Sequence, residues 1–471
     1  MGFKTDTIAA ISTAMTNSGI GIVRISGEDA FAIIDKIYKG KKEKHLSAQK
    51  SHTVHYGFIT DGEETIDEVL VLLMRGPHSY TGEDTVEIDC HGGVFVTKRI
   101  LETVIKYGAR PADPGEFSKR AFLNGRMDLS QAEAVIDIIN SQNEYALQSS
   151  VNQLKGSVHK KIKEIREQIL YHTAFIETAL DDPEHISVDG YGETLKGVND
   201  GLMEEIQKLL DTADDGRIMR EGVRTVIVGK PNAGKSSLLN VLLGEDRAIV
   251  TDVAGTTRDV LEESIQLQGI TLNIVDTAGI RDTEDIVEKI GVDKAKVYAR
   301  DADLIIYVVD ASRPLDENDI EIINMIRDKK AVILLNKTDL STVVTKEEIK
   351  KWITAGQTQP QGDSTAVPMI DISAKEETGI HELETALKEM FYHGELSFND
   401  EVYITNVRHK TALGDALASL KKVDESIRNQ MPEDFFTIDL MDAYEALGSI
   451  TGETIGEDLV NEIFSKFCMG K

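Results

Sequence analysis

Apolar positions along the 471-residue chain fall into three regimes. Up to about residue 120 they form short runs between polar turns. Thr7–Ile11, Gly21–Ile25, Val69–Met74 and Asp84–Asp89 predict strands, and Ala30–Tyr38 and Phe95–Tyr107 predict amphipathic helices. From about residue 128 the period changes. Val151, Leu154, Val158, Ile162, Ile165, Ile169 and Ile176 recur every three or four residues, one apolar stripe that predicts a single long helix, stopped at Asp181-Asp182-Pro183. A second helix is expected over Leu195–Asp214, and the same period returns over Thr411–Asn429 and Leu440–Phe467. Between these helical stretches the run Thr225–Val228 reads as a buried strand and Ser237–Leu243 as a helix. The expected fold class is a multidomain α/β chain: an N-terminal α/β domain (residues 1–120), an all-α helical domain built from both flanks (121–220 plus 385–471), and a doubly wound α/β domain (221–384) inserted into it. Insertion requires the ends of the inserted domain to lie close together, which is common.

Charge and cysteine content narrow the function classes. A formal net charge of −29 argues against non-specific nucleic-acid binding over the whole surface. Two cysteines, Cys90 and Cys468, exclude a disulfide framework and a four-cysteine zinc site. Cys90-His91 are adjacent rather than at metal-ligand spacing, so that pair reads as structural. No apolar run approaches the ~20 residues that span a bilayer, the N-terminus lacks the apolar core of a signal peptide, and Asp6 stands where a myristoylation signal needs Ser or Thr. A cytoplasmic protein with no membrane partner is expected.

The inserted domain carries the chemistry. Gly229-Lys230-Pro231-Asn232-Ala233-Gly234-Lys235-Ser236 is G-x-x-x-x-G-K-[ST], with a strand before it and a helix, opening at Ser237, after it. Glycines admit phosphate oxygens to backbone N–H groups, Lys235 reaches the β- and γ-phosphates, and Ser236 offers a hydroxyl to Mg²⁺. Downstream, Gly255-Thr256-Thr257-Arg258-Asp259 supplies a threonine, Thr257, that can complete the Mg²⁺ shell. Asp276-Thr277-Ala278-Gly279 follows a strand: Asp276 is the outer Mg²⁺ ligand, and the Gly279 N–H senses the γ-phosphate. Asn336-Lys337-Thr338-Asp339 closes another strand. The Asp339 carboxylate can accept from guanine N1–H and N2–H, a donor pair adenine lacks, while Asn336 and the Lys337 stem brace loop and base. Ser373-Ala374-Lys375 provides the last base-contacting loop. The ordered set defines a Ras-like GTPase domain with its loops at the carboxyl ends of the strands.

Two departures stand out. Ile280 occupies the place of the glutamine that orients water in Ras-type enzymes, so another group must do so, and Asp282, Glu284, Asp285 and Glu288 are the nearby acids. Asn232 lies inside the phosphate loop, where its amide oxygen can either bind a monovalent cation in place of an arginine finger or simply stabilise the loop.

Outside this domain the chain contains Pro114–Gly125, Asp128-Leu129-Ser130-Gln131-Ala132-Glu133, Thr405-Asn406-Val407-Arg408-His409, Ile450-Thr451-Gly452-Glu453 and the tail Phe464–Lys471. On these motifs it resembles the MnmE (TrmE) family of tRNA modification GTPases, within the TrmE-Era-EngA-like superfamily, over essentially its full length. The family tail is C-[aliphatic]-G-K, and Met469 is a mild departure from it. The resemblance implies a dimerising N-terminal domain that binds a tetrahydrofolate derivative (5,10-methylene or 5-formyl) through Arg24, Glu87 (with Glu83 as the alternative), Arg126 and Lys471. It implies K⁺ on Asn232, Thr251, Val253 and Thr256, Mg²⁺ on Ser236 and Thr257, and Glu288 as the acid that orients the water. GTP contacts are expected from Asn232 to Ser237, and from Thr251, Thr256, Thr257, Asp276 to Gly279, Asn336, Lys337, Asp339, Ser373 and Ala374. It also implies a homodimer working with the FAD-dependent protein MnmG on the wobble uridine of certain tRNAs. Cys468 has two readings, a low-pKa nucleophile or a small buried residue that positions Lys471.

Two rivals remain open at this level: a GTPase switch of the Era or EngA kind acting in RNA or ribosome assembly, and a folate-dependent transferase with an incidental GTPase. The single set of nucleotide motifs and the acidic balance weigh against the first, and the tail and helical flanks weigh against both. Since phosphate contacts need Lys or Arg, most tRNA affinity is expected to come from the partner.

Overall fold

The computed structural model describes residues 6–187, 190–244, 248–249, 263–267, 269–275, 300–327, 329–354, 367–391, 402–467 and 470. The chain divides into two compact units, one of residues 1–139, 150–207 and 411–471 and the other of residues 140–149 and 208–410.

The first unit holds a seven-stranded sheet. Its strands are β1 (Ile8–Ile11), β2 (Gly21–Ser26), β3 (Tyr38–Lys39), β4 (Thr53–Asp61), β5 (Glu64–Met74), β6 (Thr85–Cys90) and β7 (Arg110–Pro111), in the order β3-β4-β5-β6-β2-β1-β7. Helices α1 (Ala30–Ile37) and α2 (Val94–Lys106) cover one face through Ile33, Ile34, Ile37, Ile100 and Val104, packed on Val23, Ile25, Val71, Leu73, Val86 and Ile88. The β4–β5 hairpin extends well beyond the single expected strand Val69–Met74. Its turn is Gly62-Glu63, with Gly62 at φ 65°, a left-handed geometry suited to glycine.

Helices α3 (Glu116–Leu123), α4 (Leu129–Asn140), α5 (Glu144–Leu154), α6 (Ser157–Asp181), α7 (Tyr191–Asp211) and α8 (Ala213–Glu221) follow. The stripe that predicts one long helix is two: α5 and α6 are separated at Gly156, whose φ of 92° ends one helix and starts the next.

The second unit contains another seven-stranded sheet, with β8 (Val223–Val228), β9 (Ala248–Ile249), β10 (Glu263–Leu267), β11 (Ile270–Ile274), β12 (Leu304–Asp310), β13 (Ala331–Asn336) and β14 (Met369–Asp371) in the order β14-β13-β12-β8-β11-β10-β9. The run from β14 to β11 is parallel, and β10 and β9 are antiparallel. Besides α8, its described helices include α9 (Lys235–Leu242), α10 (Glu317–Ile326), α11 (Lys346–Thr354) and α12 (Ile380–Phe391). Alternate residues of β12 feed two cores. Leu304, Ile306 and Val308 pack with α9 and α12, whereas Ile305, Tyr307 and Val309 pack with α10 and Ile349 of α11. Helices on both faces of a mostly parallel sheet make this the expected doubly wound α/β domain.

The C-terminal helices are α13 (Val407–Arg428), α14 (Asp434–Thr451) and α15 (Glu457–Ser465). The expected single helix over Leu440–Phe467 is divided at Gly452, which adopts φ 92° and whose Cα hydrogens face the Phe122 ring and Leu129. In the first unit Val460, Phe464 and Phe467 pack on Ala121, Leu129 and Ala132. No described helix is long and apolar enough to cross a membrane.

Candidate nucleotide site and N-terminal cluster

The phosphate loop leaves β8 at Gly229 and enters α9 at Lys235. Three of its residues have positive φ: Gly229 at 154°, Asn232 at 62° and Gly234 at 103°. A Cβ at Gly229 would collide with the Val308 carbonyl of β12, so the loop turns hard against its neighbouring strand. Ala233 is buried. Lys235 folds back on its own loop, and its Nζ donates to the carbonyl oxygens of Gly229 (2.8 Å) and Lys230 (2.9 Å). Burial pushes its pKa down, which favours a pairing with phosphate that restores the lost solvation. Ser236 and Ser237 occupy the first turn of α9, at the positive end of its dipole.

Asn336 ends β13 and is 2 % exposed. Its Nδ2 donates to the Ala233 carbonyl (2.9 Å), and its Oδ1 accepts from the Ala374 N–H (3.0 Å). One buried amide thereby joins the phosphate loop to the loop after β14. Lys337, at φ 66°, pairs with Asp310 at the end of β12, Nζ to Oδ2 2.6 Å. Burial pushes the Asp310 carboxyl up, but the Lys337 ammonium and the Ser312 hydroxyl and amide bring it below its ordinary value. Asp339 is exposed, and the Ser373 hydroxyl donates to its Oδ1 (2.9 Å), which orients the carboxylate. The sequence motifs do not reveal Asp310. Its one signal is a carboxylate at the carboxyl end of the strand beside the phosphate-loop strand.

Thr251, Val253, Thr256, Thr257, Asp276, Thr277, Ala278, Gly279, Ile280 and the acids Asp282, Glu284, Asp285 and Glu288 lie outside the described residues, as do Cys468 and Lys471. Among the described residues no cluster of three or more His, Cys, Asp or Glu side chains is arranged to hold a metal ion.

The first unit brings a second set together. Arg24 on β2 stands opposite Glu87 on β6 in the ladder, and Arg24 Nε meets Glu87 Oε1 at 2.7 Å. The Arg24 guanidinium also donates to the Gly470 carbonyl (3.3 Å), which accepts from the Ser12 hydroxyl as well (3.2 Å). The chain's tail therefore reaches β1 and β2. Gly470 has φ 88°, and a Cβ there would collide with the Ile11 carbonyl. Arg24 lies 5.3 Å from the Tyr80 ring centroid and 5.5 Å from that of Phe117. Burial raises the Tyr80 pKa, while the Ser118 hydrogen bond and the charges of Arg24 and Arg126 oppose the rise; Arg126 itself donates to the Ser79 carbonyl (3.4 Å). Glu87 and the tail thus meet at Arg24, and Arg24 and Arg126 both act on Tyr80, a residue the sequence motifs do not single out. Glu83, the alternative to Glu87, belongs to a different network, bound by Arg120 (3.1 Å) and the Ser26 hydroxyl (2.8 Å). Two residues beyond Glu87, Asp89 has a buried carboxylate oxygen, Oδ1, with no hydrogen-bond partner. Burial and the Glu87 charge push its carboxyl up. Guanidiniums for carboxylates, together with carboxylates for N–H donors, fit a folate-like ligand.

Cys90 is buried, and its thiol donates to the Gly21 carbonyl. His91, largely exposed, pairs with Asp67 at 2.7 Å.

A doubly wound sheet with a phosphate loop, an N-K-x-D strand end and a buried asparagine linking them defines a P-loop GTPase. Two family descriptions match the chain: "GTP-binding protein TrmE N-terminus" over residues 7–126 and "MnmE helical domain" over residues 129–468. Among curated relatives, tRNA modification GTPase MnmE of Lachnoclostridium phytofermentans is 58 % identical over 99 % of this chain and 100 % of its own length. That of Clostridioides difficile is 50 % identical over 100 % of both. A solved structure, the G domain of the T. maritima FeoB iron transporter, is similar over 36 % of this chain at 22 % identity, with a TM-score of 0.25, too slight a likeness to bear on the fold. The chain belongs to the MnmE family of tRNA modification GTPases, and it is a GTP-binding enzyme of tRNA modification.

Proposed function

We propose that the chain, as a cytoplasmic homodimer working with an MnmG-type FAD protein, adds a carboxymethylaminomethyl or aminomethyl group at C5 of the wobble uridine of certain tRNAs. The carbon comes from a tetrahydrofolate derivative held by Arg24, Glu87, Arg126 and Lys471. The observation that carries this reading is the Arg24 guanidinium, which spans Glu87 and the tail carbonyl of Gly470 and so brings residues from near both ends of the chain together. The folate glutamate carboxylates suit the arginines, and the pterin N–H groups suit Glu87 and Asp89.

GTP hydrolysis in this reading uses Lys235 to meet the β- and γ-phosphates, Asp339 to accept from guanine, and Glu288 to orient the water in the absence of the Ras-type glutamine. Mg²⁺ held by Ser236 and Thr257 offsets phosphate charge. K⁺ held by Asn232, Thr251, Val253 and Thr256 supplies the positive charge an arginine finger would bring, as two nucleotide domains meet across the dimer. The expected division is an N-terminal folate domain, a helical domain drawn from both flanks and an inserted nucleotide domain. With a net charge of −29, this chain alone binds tRNA weakly and the partner supplies most of the affinity.

GTP turnover of the purified chain in KCl and in NaCl at equal ionic strength, beside Asn232→Ala, tests the cation. A K⁺-specific rise that disappears in Asn232→Ala is expected. Equal rates in the two salts would remove this mechanism and direct attention to an activating protein.

A further inference from the structure

The second residue of the phosphate loop, Lys230, has a side chain that none of the motif chemistry uses. It does not project toward solvent. Its Nζ lies 2.8 Å from Asp316 Oδ2 and 2.6 Å from Asp319 Oδ2, at the start of α10. Asp319 is 2 % exposed. Its other oxygen, Oδ1, accepts from the Tyr307 hydroxyl at 2.8 Å, and Tyr307 is wholly buried on β12. Asp319 Oδ2 also accepts from the Asp316 N–H (3.0 Å), while Asp316 Oδ1 accepts from the Asp319 N–H (3.3 Å), a reciprocal capping box. Burial and the Asp319 charge push the Tyr307 hydroxyl pKa far up, so it remains a donor. Burial disfavours the Lys230 charge, but the two carboxylates reverse this and raise its pKa. The backbone carbonyl of this same Lys230 accepts from Lys235 Nζ.

We propose that Asp319 is a positioning residue of the GTPase. It anchors Lys230 by its ammonium and thereby fixes the carbonyl on which Lys235 rests. It also holds the Lys230 charge away from the phosphate path, leaving Lys235 to meet the nucleotide. A capping box needs only an acceptor at the N-cap and one at Asp319 for the Asp316 N–H; it needs no lysine. A Tyr307 hydroxyl needs only one acceptor. Among the partners named here, Lys230 alone brings a positive charge to the buried Asp319 carboxylate, and burying a carboxylate is costly unless it is paired. The linkage runs from the core of β12 through α10 to the phosphate loop, across 89 residues of sequence between Lys230 and Asp319.

The test is a double-mutant cycle on the full chain with Lys230→Met, Asp319→Asn and the pair, beside Lys230→Arg. Asparagine removes the charge and keeps one acceptor oxygen, enough for Tyr307 or for the Asp316 N–H but not for both. Steady-state GTP turnover is read as separate kcat and KM, with affinity for a fluorescent GDP analogue measured alongside. Loss of one charge-assisted hydrogen bond predicts a fall in kcat/KM of about tenfold in either single variant. The double variant is expected to fall no further than the singles, and Lys230→Arg to recover most of the loss. Unchanged kcat and KM in the folded single variants would overturn the proposal even if their melting temperatures fall, because that is what a purely structural contact would do. Additive losses, or no recovery in Lys230→Arg, would also overturn it. Should Asp319→Asn fail to fold, the comparison of Lys230→Met with Lys230→Arg decides alone: equal rates in the two variants refute the role.

Discussion

Asn336→Ala isolates the joint between the two nucleotide loops. The substitution removes a donor to Ala233 and an acceptor for the Ala374 N–H, at a site with 2 % exposure. Water cannot readily replace either partner there. A buried polar group left unsatisfied costs about 1–3 kcal/mol, and two such groups at one site that can partly relax give about 2–4 kcal/mol. The cost falls on the second unit, whose β13 end and phosphate loop both depend on this amide. Chemical denaturation followed by a probe in that unit should show a lowered midpoint with an unchanged slope. Affinity for guanine nucleotide should fall by more than stability alone explains, because the loop at Ala233 and the loop at Ala374 lose their common spacer. Asn336→Asp preserves the acceptor for Ala374 but sets a carboxylate against the Ala233 carbonyl, so it should be no better than alanine. A loss of stability below about 0.5 kcal/mol together with unchanged affinity would refute the reasoning, since that is the range of surface substitutions away from such features.

Other outcomes follow from the same structure. Gly234→Ala should abolish nucleotide binding, because φ is 103° and the new Cβ would collide with Asn336 Nδ2; equilibrium binding of a fluorescent GDP analogue reads this directly, and retained affinity would contradict it. Arg24→Ala should weaken tetrahydrofolate binding by tenfold or more, the fold-change of one charge-assisted contact at about 1.5–3 kcal/mol, while leaving GTP turnover intact; calorimetry and turnover together check the separation. In the N-terminal unit, burial pushes the Glu116 carboxyl up, but the Arg110 and Arg120 guanidiniums and the Asp113 amide bring it below its ordinary value of 4.5. The resulting stabilisation is complete above that value and is lost as pH falls through the folded-state pKa. Melting curves of wild type and Glu116→Gln should therefore differ at neutral pH and converge in acid.

Much of the nucleotide site was legible because its residues sit at strand ends that the apolar pattern marks. Lys235, Asn336, Asp339 and Ser373 each follow or close a buried run. Their mutual contacts were not legible. Nothing in the sequence says that Asn336 reaches Ala233, which lies 103 residues away, or that Asp310 holds Lys337. The long stripe from Val151 to Ile176 hid a break because its three- and four-residue spacing continues through Gly156, where only the positive φ reveals the end of a helix. Strand β4 was missed for the opposite reason. It turns His55 and Gly57 inward and leaves Val54 and Tyr56 57 % and 45 % exposed, which inverts the polarity that alternation normally carries. The cluster around Arg24 was visible only through family resemblance. Arg24 and Glu87 are 63 residues apart and Gly470 is 446 from Arg24, and no spacing rule connects them.

The central claim is that this GTPase drives a modification of tRNA, and that its nucleotide domain is required for the product. The most direct measurement is nucleoside mass spectrometry of tRNA after reconstitution with an MnmG-type partner, a tetrahydrofolate donor and GTP, with wild type beside Lys235→Ala. The account predicts a modified wobble uridine with wild type and little or none with Lys235→Ala. Equal product from the two would show that hydrolysis is incidental and would contradict the account.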